Sequence, residues 1–274
     1  MQVRDKVAVV TGGGGGIGAA LTAALAGAGA RVVVSDIDGA AAERVAADAD
    51  AAAGTHVAVG AAADAADSDA IAGLIALAGR EFGPVDIYCA NAGIGPKGGL
   101  DAAESEWDRA IDVNVCAHVR AAKLLVPGWV ERGEGYFVTT ASAAGLLTQI
   151  GSAAYAVTKH AVVGFAEWLS ITYGDAGVRV SCLCPMGVDT DMLRAATGSD
   201  DPMGAAAGRS VVEAGTVLQP AEVAEVVLAA IDDERFLVLP HPEVLEMYRR
   251  KGSDYDRWLR GMRRYQASLL GPES

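Results

Sequence analysis

Positively charged residues are scarce in this sequence. Its 274 residues carry 22 Lys and Arg against 35 Asp and Glu, which gives a formal net charge of −13. Proteins that bind nucleic acid usually present a concentrated positive field, so this deficit argues against a nucleic-acid partner. The one segment with a basic excess runs from residue 241 to residue 264. A mixed-charge helical tail, either solvated or part of an interface, is the simplest interpretation of it.

Long apolar runs are also missing. No apolar stretch reaches membrane-spanning length without interruption, and Met1 is followed almost directly by a strand-like segment rather than by a secretory leader. We therefore expect a cytoplasmic protein with no membrane contact.

Cysteine is rare, with only Cys89, Cys116, Cys182 and Cys184. The Cys182-x-Cys184 pair has no second pair of Cys or His nearby to complete the four ligands of a typical zinc site. We expect reduced structural thiols and no bound metal.

Short apolar runs rich in β-branched residues alternate with helical segments along the whole chain. Continuous apolar strands between helices are typical of a parallel sheet covered on both faces. The sequence predicts an α/β, Rossmann-type doubly wound fold with a seven-stranded parallel sheet. The predicted strands are Val7–Thr11, Arg31–Asp36 and residues 56–59, 85–90, 135–141, 178–184 and 236–239.

No linker divides residues 1–240, which we predict to form one catalytic domain. Within it, residues 191–219 lack clear periodicity, and such a stretch is either a mobile lid or a set of extra helices. Residues 241–274 are predicted to be a helical tail packed on the domain or in an oligomer interface.

A glycine-rich turn follows the first predicted strand. Residues 11–18 read TGGGGGIG, with Gly12, Gly16, Ile17 and Gly18 as candidate cofactor contacts. A pyrophosphate must approach the backbone and the helix N-terminus closely, and side chains would block it. Five glycines alone are equally compatible with a flexible turn, but their place between a strand and a helix favours a dinucleotide site.

Asp36 ends the second predicted strand. A carboxylate at this position accepts hydrogen bonds from the ribose hydroxyls of NAD and repels the 2′-phosphate of NADP. The alternative is an Asp that only begins a turn. With the glycine turn upstream, Asp36 favours NAD.

Tyr155 and Lys159 are four residues apart in a helical stretch, so both side chains lie on one face. A nearby ammonium favours the phenolate, which makes the tyrosine a usable proton carrier at neutral pH. By itself, a Tyr and a Lys at this spacing are simply two exposed side chains on the surface of a helix. Ser142 after the fifth strand and Asn114 in a helical run change this interpretation. Ser142 could hydrogen-bond the reacting oxygen, although alone it is equally a cap or turn residue. Asn114 could hold a bent helix and a water between its backbone and Lys159, or it could simply bond to solvent.

In order and spacing, these motifs resemble the short-chain dehydrogenase/reductase family. The likeness rests on the glycine turn, Asn91-Ala92-Gly93, Asn114, Ser142 and Tyr155/Lys159, and it extends over about residues 3–239. The resemblance implies a homotetramer or homodimer built through the helices that carry Asn114 and Tyr155.

The resemblance also implies roles for further residues. Asp64 would contact the adenine, Asn91 and Gly93 would lie along the cofactor, and Lys159 would bind the nicotinamide ribose as well as tune Tyr155. Pro185, Val188 and Thr190 would hold the nicotinamide end. Met186 stands where the family commonly has glycine, and it lines the substrate pocket or fills a core gap.

The sequence thus predicts an NAD-dependent oxidoreductase that moves a hydride between nicotinamide and a secondary alcohol or ketone, with Tyr155 as general acid/base. The predicted pocket wall is mostly apolar, which favours a neutral substrate. It comprises Ala144, Leu146, Gln149, Met186, Met192 and residues 191–215. Two alternatives stay open: an NADP-dependent ketoreductase of acyl substrates, and a non-catalytic dinucleotide-sensing regulator on the same fold.

Overall fold

The computed structural model describes residues 1–95 and 98–271. One parallel sheet forms its centre, with seven strands in the order β3-β2-β1-β4-β5-β6-β7. This confirms the predicted doubly wound α/β fold. Residues 96, 97 and 272–274, which belong to the predicted domain and tail, lie outside the described residues. The strands are β1 (Val7–Thr11), β2 (Arg31–Asp36), β3 (Ala58–Ala62), β4 (Ile87–Ala90), β5 (Gly135–Thr140), β6 (Val178–Leu183) and β7 (Leu237–Val238).

Helices cover both faces of this sheet and continue beyond its last strand. They are α1 (Gly16–Gly27), α2 (Gly39–Ala53), α3 (Ser68–Glu81), α4 (Glu104–Ile111), α5 (Ala117–Arg132), α6 (Ala144–Leu147), α7 (Ala153–Tyr173), α8 (Asp191–Thr197), α9 (Pro202–Ala214), α10 (Pro220–Asp232), α11 (Glu243–Ser253) and α12 (Tyr255–Leu270). A π-helical turn, Asp112–Cys116, joins α4 to α5. Within the described residues, no helix combines the length and apolar character needed to cross a membrane.

The central strands are buried on both sides. Every residue of β1, β4 and β5 is buried, which explains why these strands read as continuous apolar runs rather than as alternating ones. One core cluster includes Trp129 and Phe137 under α5 and α7. The other includes Leu21 and Leu25 of α1 on the opposite face. The apolar pattern of the sequence therefore follows from a sheet enclosed between two helical layers.

Several element boundaries differ from the sequence prediction. The third strand lies at Ala58–Ala62 rather than at 56–59, because its register is set by pairing with Val32–Asp36 of β2. The last strand has only two residues. Residues 191–219 contain α8 and α9, so extra helices were the correct alternative.

The strand order reverses between β1 and β4, and ligands of open α/β sheets bind in the crevice beyond such a switch point. Gly12 directly follows β1, and Asp36 is the last residue of β2. The chains leaving β4 and β5 carry Asn91 and Ser142. The fold thus brings these candidate residues to one edge of the sheet.

Candidate active site

The glycine turn packs too tightly for any other residue at two positions. A Cβ on Gly18 would lie 1.9 Å from the carbonyl oxygen of Gly12, and a Cβ on Gly12 would lie 2.9 Å from the Cα of Ala92. Gly12 and Gly16 also have positive φ angles of 61° and 52°. The helix α1 begins behind this turn without a side-chain cap, so its first N–H groups face outward. The turn has the form of an anion-binding cradle.

Asn91 joins the ends of three strands. Its Nδ2 donates to the carbonyl oxygens of Thr11 at 3.0 Å and Gly12 at 3.2 Å, and its Oδ1 accepts from Thr140 Oγ1 at 3.1 Å. Thr11 Oγ1 in turn accepts from the backbone N–H groups of Asn91 and Ala92, both at 3.1 Å. This network holds the glycine turn against β4 and β5.

Asp36 lies directly against the glycine turn. Its Oδ2 accepts from the backbone N–H of Gly14 at 3.0 Å, and its Oδ1 accepts from that of Asp38 at 3.0 Å. A carboxylate has about four lone-pair sites, so both oxygens retain acceptor capacity for a ligand. The next residue, Ile37, is 68% exposed and offers an apolar surface beside the carboxylate. Sequence reasoning missed Ile37, although a large aliphatic residue directly after the strand was a visible signal.

Asp64 lies farther along the same edge. Its Oδ1 accepts from the backbone N–H of Ala66 at 2.9 Å, and its Oδ2 is 3.5 Å from Arg109 Nη1. These residues line an open cavity of about 450 Å³ together with Asp112 and Arg120. Asp64 is therefore available at the rim, with a guanidinium partner that the sequence did not predict.

Ser142, Tyr155 and Lys159 come together at the carboxyl end of β5. Ser142 Oγ donates to the carbonyl oxygen of Pro185 at 3.4 Å, and the Ser142 side chain lies close enough to Tyr155 to lower the pKa of its hydroxyl. Lys159 Nζ lies 5.5 Å from the centre of the Tyr155 ring and donates to the carbonyl oxygen of Thr140 at 2.9 Å. The backbone of Ala144 donates to Ser142 Oγ at 3.1 Å, which orients the serine. The three side chains thus form one cluster on the edge of the sheet that also carries the glycine turn.

Burial shifts both ionisable groups of this cluster. It raises the pKa of Tyr155, while the Ser142 side chain lowers it. Burial lowers the pKa of Lys159 to about 8. The sequence predicted that the Lys159 ammonium, together with the positive charge of an oxidised nicotinamide, would lower the pKa of Tyr155. In the protein alone, burial is the larger effect and raises this pKa.

Asn114 is completely buried in the π-helical turn between α4 and α5. Its Oδ1 accepts from the backbone N–H of Ile94 at 2.8 Å, and its Nδ2 donates to the Ile94 carbonyl at 3.0 Å and to Thr158 Oγ1 at 3.1 Å. The bent helix expected at this residue is present as the π-helical turn. A Cβ on Gly93 would lie 3.3 Å from Asn114 Oδ1 and 3.5 Å from Lys159 Nζ, so Gly93 keeps the space between them open. A water between Asn114 and Lys159 stays a prediction.

The loop after β6 closes the other side of the cleft. The Pro185 carbonyl accepts from the backbone N–H of Ala143 at 2.8 Å, and Val188 is buried. Thr190 caps α8, and its methyl group would be 3.1 Å from a Cβ on Gly16, so this loop reaches the glycine turn.

Sequence reasoning missed His241, which fixes the same loop. This side chain is 2% exposed, and its Nδ1 accepts from the backbone N–H of Met186 at 3.1 Å. Its Nε2 lies 3.1 Å from the carbonyl oxygens of both Gly187 and Thr216. Because carbonyls only accept, the ring must carry its proton on Nε2. No local pattern signals a contact that spans 55 residues of sequence.

The substrate side of the cleft is formed by helices rather than by an open loop. Ala144 and Leu146 of α6 are buried, and Gln149 Nε2 donates to Ser210 Oγ of α9 at 3.2 Å. The Met192 side chain of α8 lies against Gly95. Met186 packs partly buried against the core, beside Gly215. That these residues form one substrate pocket stays a prediction.

Comparisons with known proteins agree with this geometry. A family model described as short chain dehydrogenase matches residues 6–201. The 1-deoxy-11-beta-hydroxypentalenate dehydrogenase of Streptomyces exfoliatus is 37% identical over 247 residues, which cover 89% of this chain and 86% of that protein. The cis-4-hydroxycyclohexanecarboxylate dehydrogenase of Sinomonas cyclohexanicum is 32% identical over 237 residues, which cover 86% of this chain and 92% of that protein.

Among solved structures, a short-chain dehydrogenase/reductase from Burkholderia phymatum in complex with NAD superposes with a TM-score of 0.84. It is 30% identical in sequence, and the match covers 100% of this chain and 99% of that one. The named relatives are dehydrogenases of hydroxylated compounds. This agrees with a site built around the hydroxyls of Ser142 and Tyr155 with Lys159 beside them. The chain belongs to the short-chain dehydrogenase family of oxidoreductases.

Proposed function

We propose that this protein is an NAD-dependent dehydrogenase that interconverts a secondary alcohol and a ketone. One observation carries the proposal: the side chains of Ser142, Tyr155 and Lys159 lie together at the carboxyl end of β5, on the edge of the sheet that also carries the glycine turn. A phenol within reach of a bound alcohol, with a cation beside it, has the geometry of a general acid/base.

The residues present fit a dinucleotide. The N–H groups of the glycine turn (Gly12, Gly16, Ile17 and Gly18) would hold the pyrophosphate, and Asp36 would accept from the adenosine ribose. When bound, the nicotinamide supplies the hydride acceptor or donor. The remaining cofactor contacts would come from Asp64, Asn91, Gly93, Tyr155, Lys159, Pro185, Val188 and Thr190.

The chain's own residues would handle the proton. As the phenolate, Tyr155 takes the alcohol proton at its oxygen in oxidation, and as the phenol it returns that proton in reduction. Ser142 lies beside Tyr155, where its hydroxyl would donate a hydrogen bond that stabilises the phenolate, and Lys159 places a positive charge beside the ring. Asn114 holds the π-helical turn, and a water between it and Lys159 would exchange protons with Tyr155.

The choice of NAD rests on Asp36, because its carboxylate lies against the turn where a 2′-phosphate would come close. The Burkholderia phymatum relative was solved with NAD, which supports the same choice. The NADP-dependent ketoreductase and the non-catalytic regulator stay as alternatives. The regulator is the weaker of the two, since Asn114, Ser142, Tyr155 and Lys159 are all present.

The substrate we propose is a neutral, fairly apolar secondary alcohol or ketone, processed in the cytoplasm by a homotetramer or homodimer. Buried Ala144 and Leu146 on the substrate side support an apolar ligand. Exposed apolar residues on α5 and α7 support self-association.

A panel of matched cyclic alcohols tests this function. Each neutral cyclohexanol would be paired with its carboxylate-bearing analogue, since one relative is named for a hydroxycyclohexanecarboxylate. The reaction is followed by nicotinamide absorbance with NAD and with NADP. We expect turnover with NAD and a higher kcat/KM for the neutral member of each pair. Preference for the carboxylates would overturn the substrate class, and turnover only with NADP would overturn the cofactor choice.

A further inference from the structure

The C-terminal tail contacts several walls of the candidate site. It comprises His241 and the helices α11 and α12, and the family match ends well before it, at residue 201. His241 fixes the loop after β6, as described above. The helix α12 packs on α9, where Arg209 Nη2 donates to the Leu269 carbonyl at 2.6 Å. Between these two contacts along the chain, the Lys251 side chain of α11 is buried beside α6 and α7.

Lys251 is a buried ammonium with well-defined partners. The residue is 5% exposed, and Nζ donates to the carbonyl oxygen of Leu146 on α6 at 2.6 Å. Nζ also lies 3.4 Å from His160 Nε2 on α7 and 5.4 Å from the centre of the Tyr255 ring. Lys251 therefore connects the tail to the helix that follows Ser142 and to the helix that carries Tyr155.

The tautomer of His160 shows that the second contact is a donated hydrogen bond. His160 Nδ1 lies 2.8 Å from the carbonyl oxygen of Ala156, and a carbonyl can only accept. The proton must therefore be on Nδ1, which leaves the lone pair of Nε2 to accept from Lys251. One ammonium thus joins α6 and α7 through two hydrogen bonds.

This ammonium is difficult to explain by fold stability. Among residues 1–95 and 98–271, no carboxylate forms an ion pair with Lys251. Burying a charge without a counter-ion is unfavourable, and an apolar side chain of similar length would fill the space at lower cost. What an apolar residue cannot supply is the pair of hydrogen bonds across the two helices.

The two helices meet where the candidate site needs precision. A Cβ on Gly145 would lie 2.5 Å from the carbonyl oxygen of Lys159, so the backbones of α6 and α7 are in direct contact. Ser142 lies just before α6, and Tyr155 lies in the first turn of α7. The interaction between the Ser142 and Tyr155 side chains therefore crosses the boundary between α6 and α7 that Lys251 also spans.

We infer that Lys251 is a positioning residue: by joining α6 to α7, it holds the Ser142 side chain beside Tyr155. This inference rests on the proposed function in one respect, because it takes that pair as the proton-transfer machinery. It adds a role for a tail residue that touches neither substrate nor cofactor.

The test compares Lys251→Met with Lys251→Arg, which retains the donors. Arg250→Met is the matched control, since Arg250 is exposed on the same helix and pairs with Glu246 four residues earlier. The measurements are kcat and KM on the best alcohol of the panel, NADH affinity, melting temperature and hydrogen exchange of residues 142–149. Active-site concentration is taken from NADH titration.

We expect Lys251→Met to fold without a loss of melting temperature and to bind NADH as the parent does. Its kcat should fall about tenfold with KM nearly unchanged, as expected for a misplaced catalytic group. Hydrogen exchange of residues 142–149 should rise in Lys251→Met. Lys251→Arg should restore most of the kcat and most of the protection from exchange. Arg250→Met should match the parent in both measurements.

An unchanged kcat together with unchanged exchange in Lys251→Met would overturn the inference. A fall in kcat that is fully explained by a smaller fraction of NADH-binding protein would also overturn it, because that result indicates a purely structural role. If the parent turns over no alcohol, the proposed function fails while the exchange measurement still decides whether Lys251 holds the 142–149 segment.

Discussion

Asp36 accepts backbone hydrogen bonds from Gly14 and Asp38, and this fixes its carboxylate against the glycine turn. The negative charge is therefore held at one place rather than distributed over several rotamers. A 2′-phosphate at this position would be repelled by that charge at short range, whereas two ribose hydroxyls would donate hydrogen bonds to the carboxylate oxygens.

Asp36→Asn separates these two effects. The amide oxygen still accepts from Gly14, but the repulsion of a 2′-phosphate is lost. We expect the ratio of kcat/KM for NAD over NADP to fall at least about tenfold, which corresponds to about 1.4 kcal/mol. Steady-state kinetics with both cofactors measure the ratio, and Asp233→Asn serves as an exposed control distant from the turn. An unchanged ratio would mean that another residue selects the cofactor.

At the scale of single residues, the sequence predicted what lies in short motifs. Gly18 and the pair Tyr155 and Lys159 are identifiable because their spacing is local and their chemistry is demanding. His241 and Lys251 were missed because their partners are far away in sequence; Lys251 and the Leu146 carbonyl are 105 residues apart. No periodicity or motif encodes such contacts.

At the scale of helices and strands, the predictions failed where tertiary pairing or backbone detail decides the outcome. The π-helical turn at Asp112–Cys116 interrupts a segment whose apolar pattern reads as one long helix. The start of α9 had an overlooked signal: Asp201 caps the helix and Pro202 occupies its first turn. The residues 191–219 were therefore more predictable than their lack of periodicity indicated.

The outer face of α7 gives a further prediction at this scale. Val157, Trp168 and Ile171 lie on one side of the helix, with Trp168 52% exposed and Ile171 84% exposed. Trp168 also stacks on Phe165, with ring centres 6.2 Å apart, so the ring is held in place for contact. A row of ordered apolar side chains of this kind is unusual on the free surface of a monomer.

We expect Trp168→Glu to break the proposed homo-oligomer through a buried charge in its interface. Light scattering coupled to size exclusion would show a lower molar mass than that of the parent chain. Arg250→Glu, which changes an exposed residue of the tail, should leave the mass unaltered. A parent protein that is already a monomer would contradict the assembly proposed for α5 and α7.

For the whole molecule, the chain order and the sheet order together determine the site. Segments from β1, β2, β4, β5 and β6 reach one edge because all seven strands are parallel and the order reverses between β1 and β4. The fold class was predictable because enclosed parallel strands have a clear apolar pattern. The arrangement of the tail was not, because its contacts depend on surfaces that exist only after the domain has formed.

The central claim is that Tyr155 carries the proton at a nicotinamide site. Tyr155→Phe tests it most directly, because the ring and its packing beside Lys159 remain while the hydroxyl is removed. NADH binding by fluorescence should be unchanged within about twofold, and kcat should fall about 10³-fold, in the range that general acid/base catalysis contributes. Turnover close to that of the parent, with NADH still bound, would contradict the account.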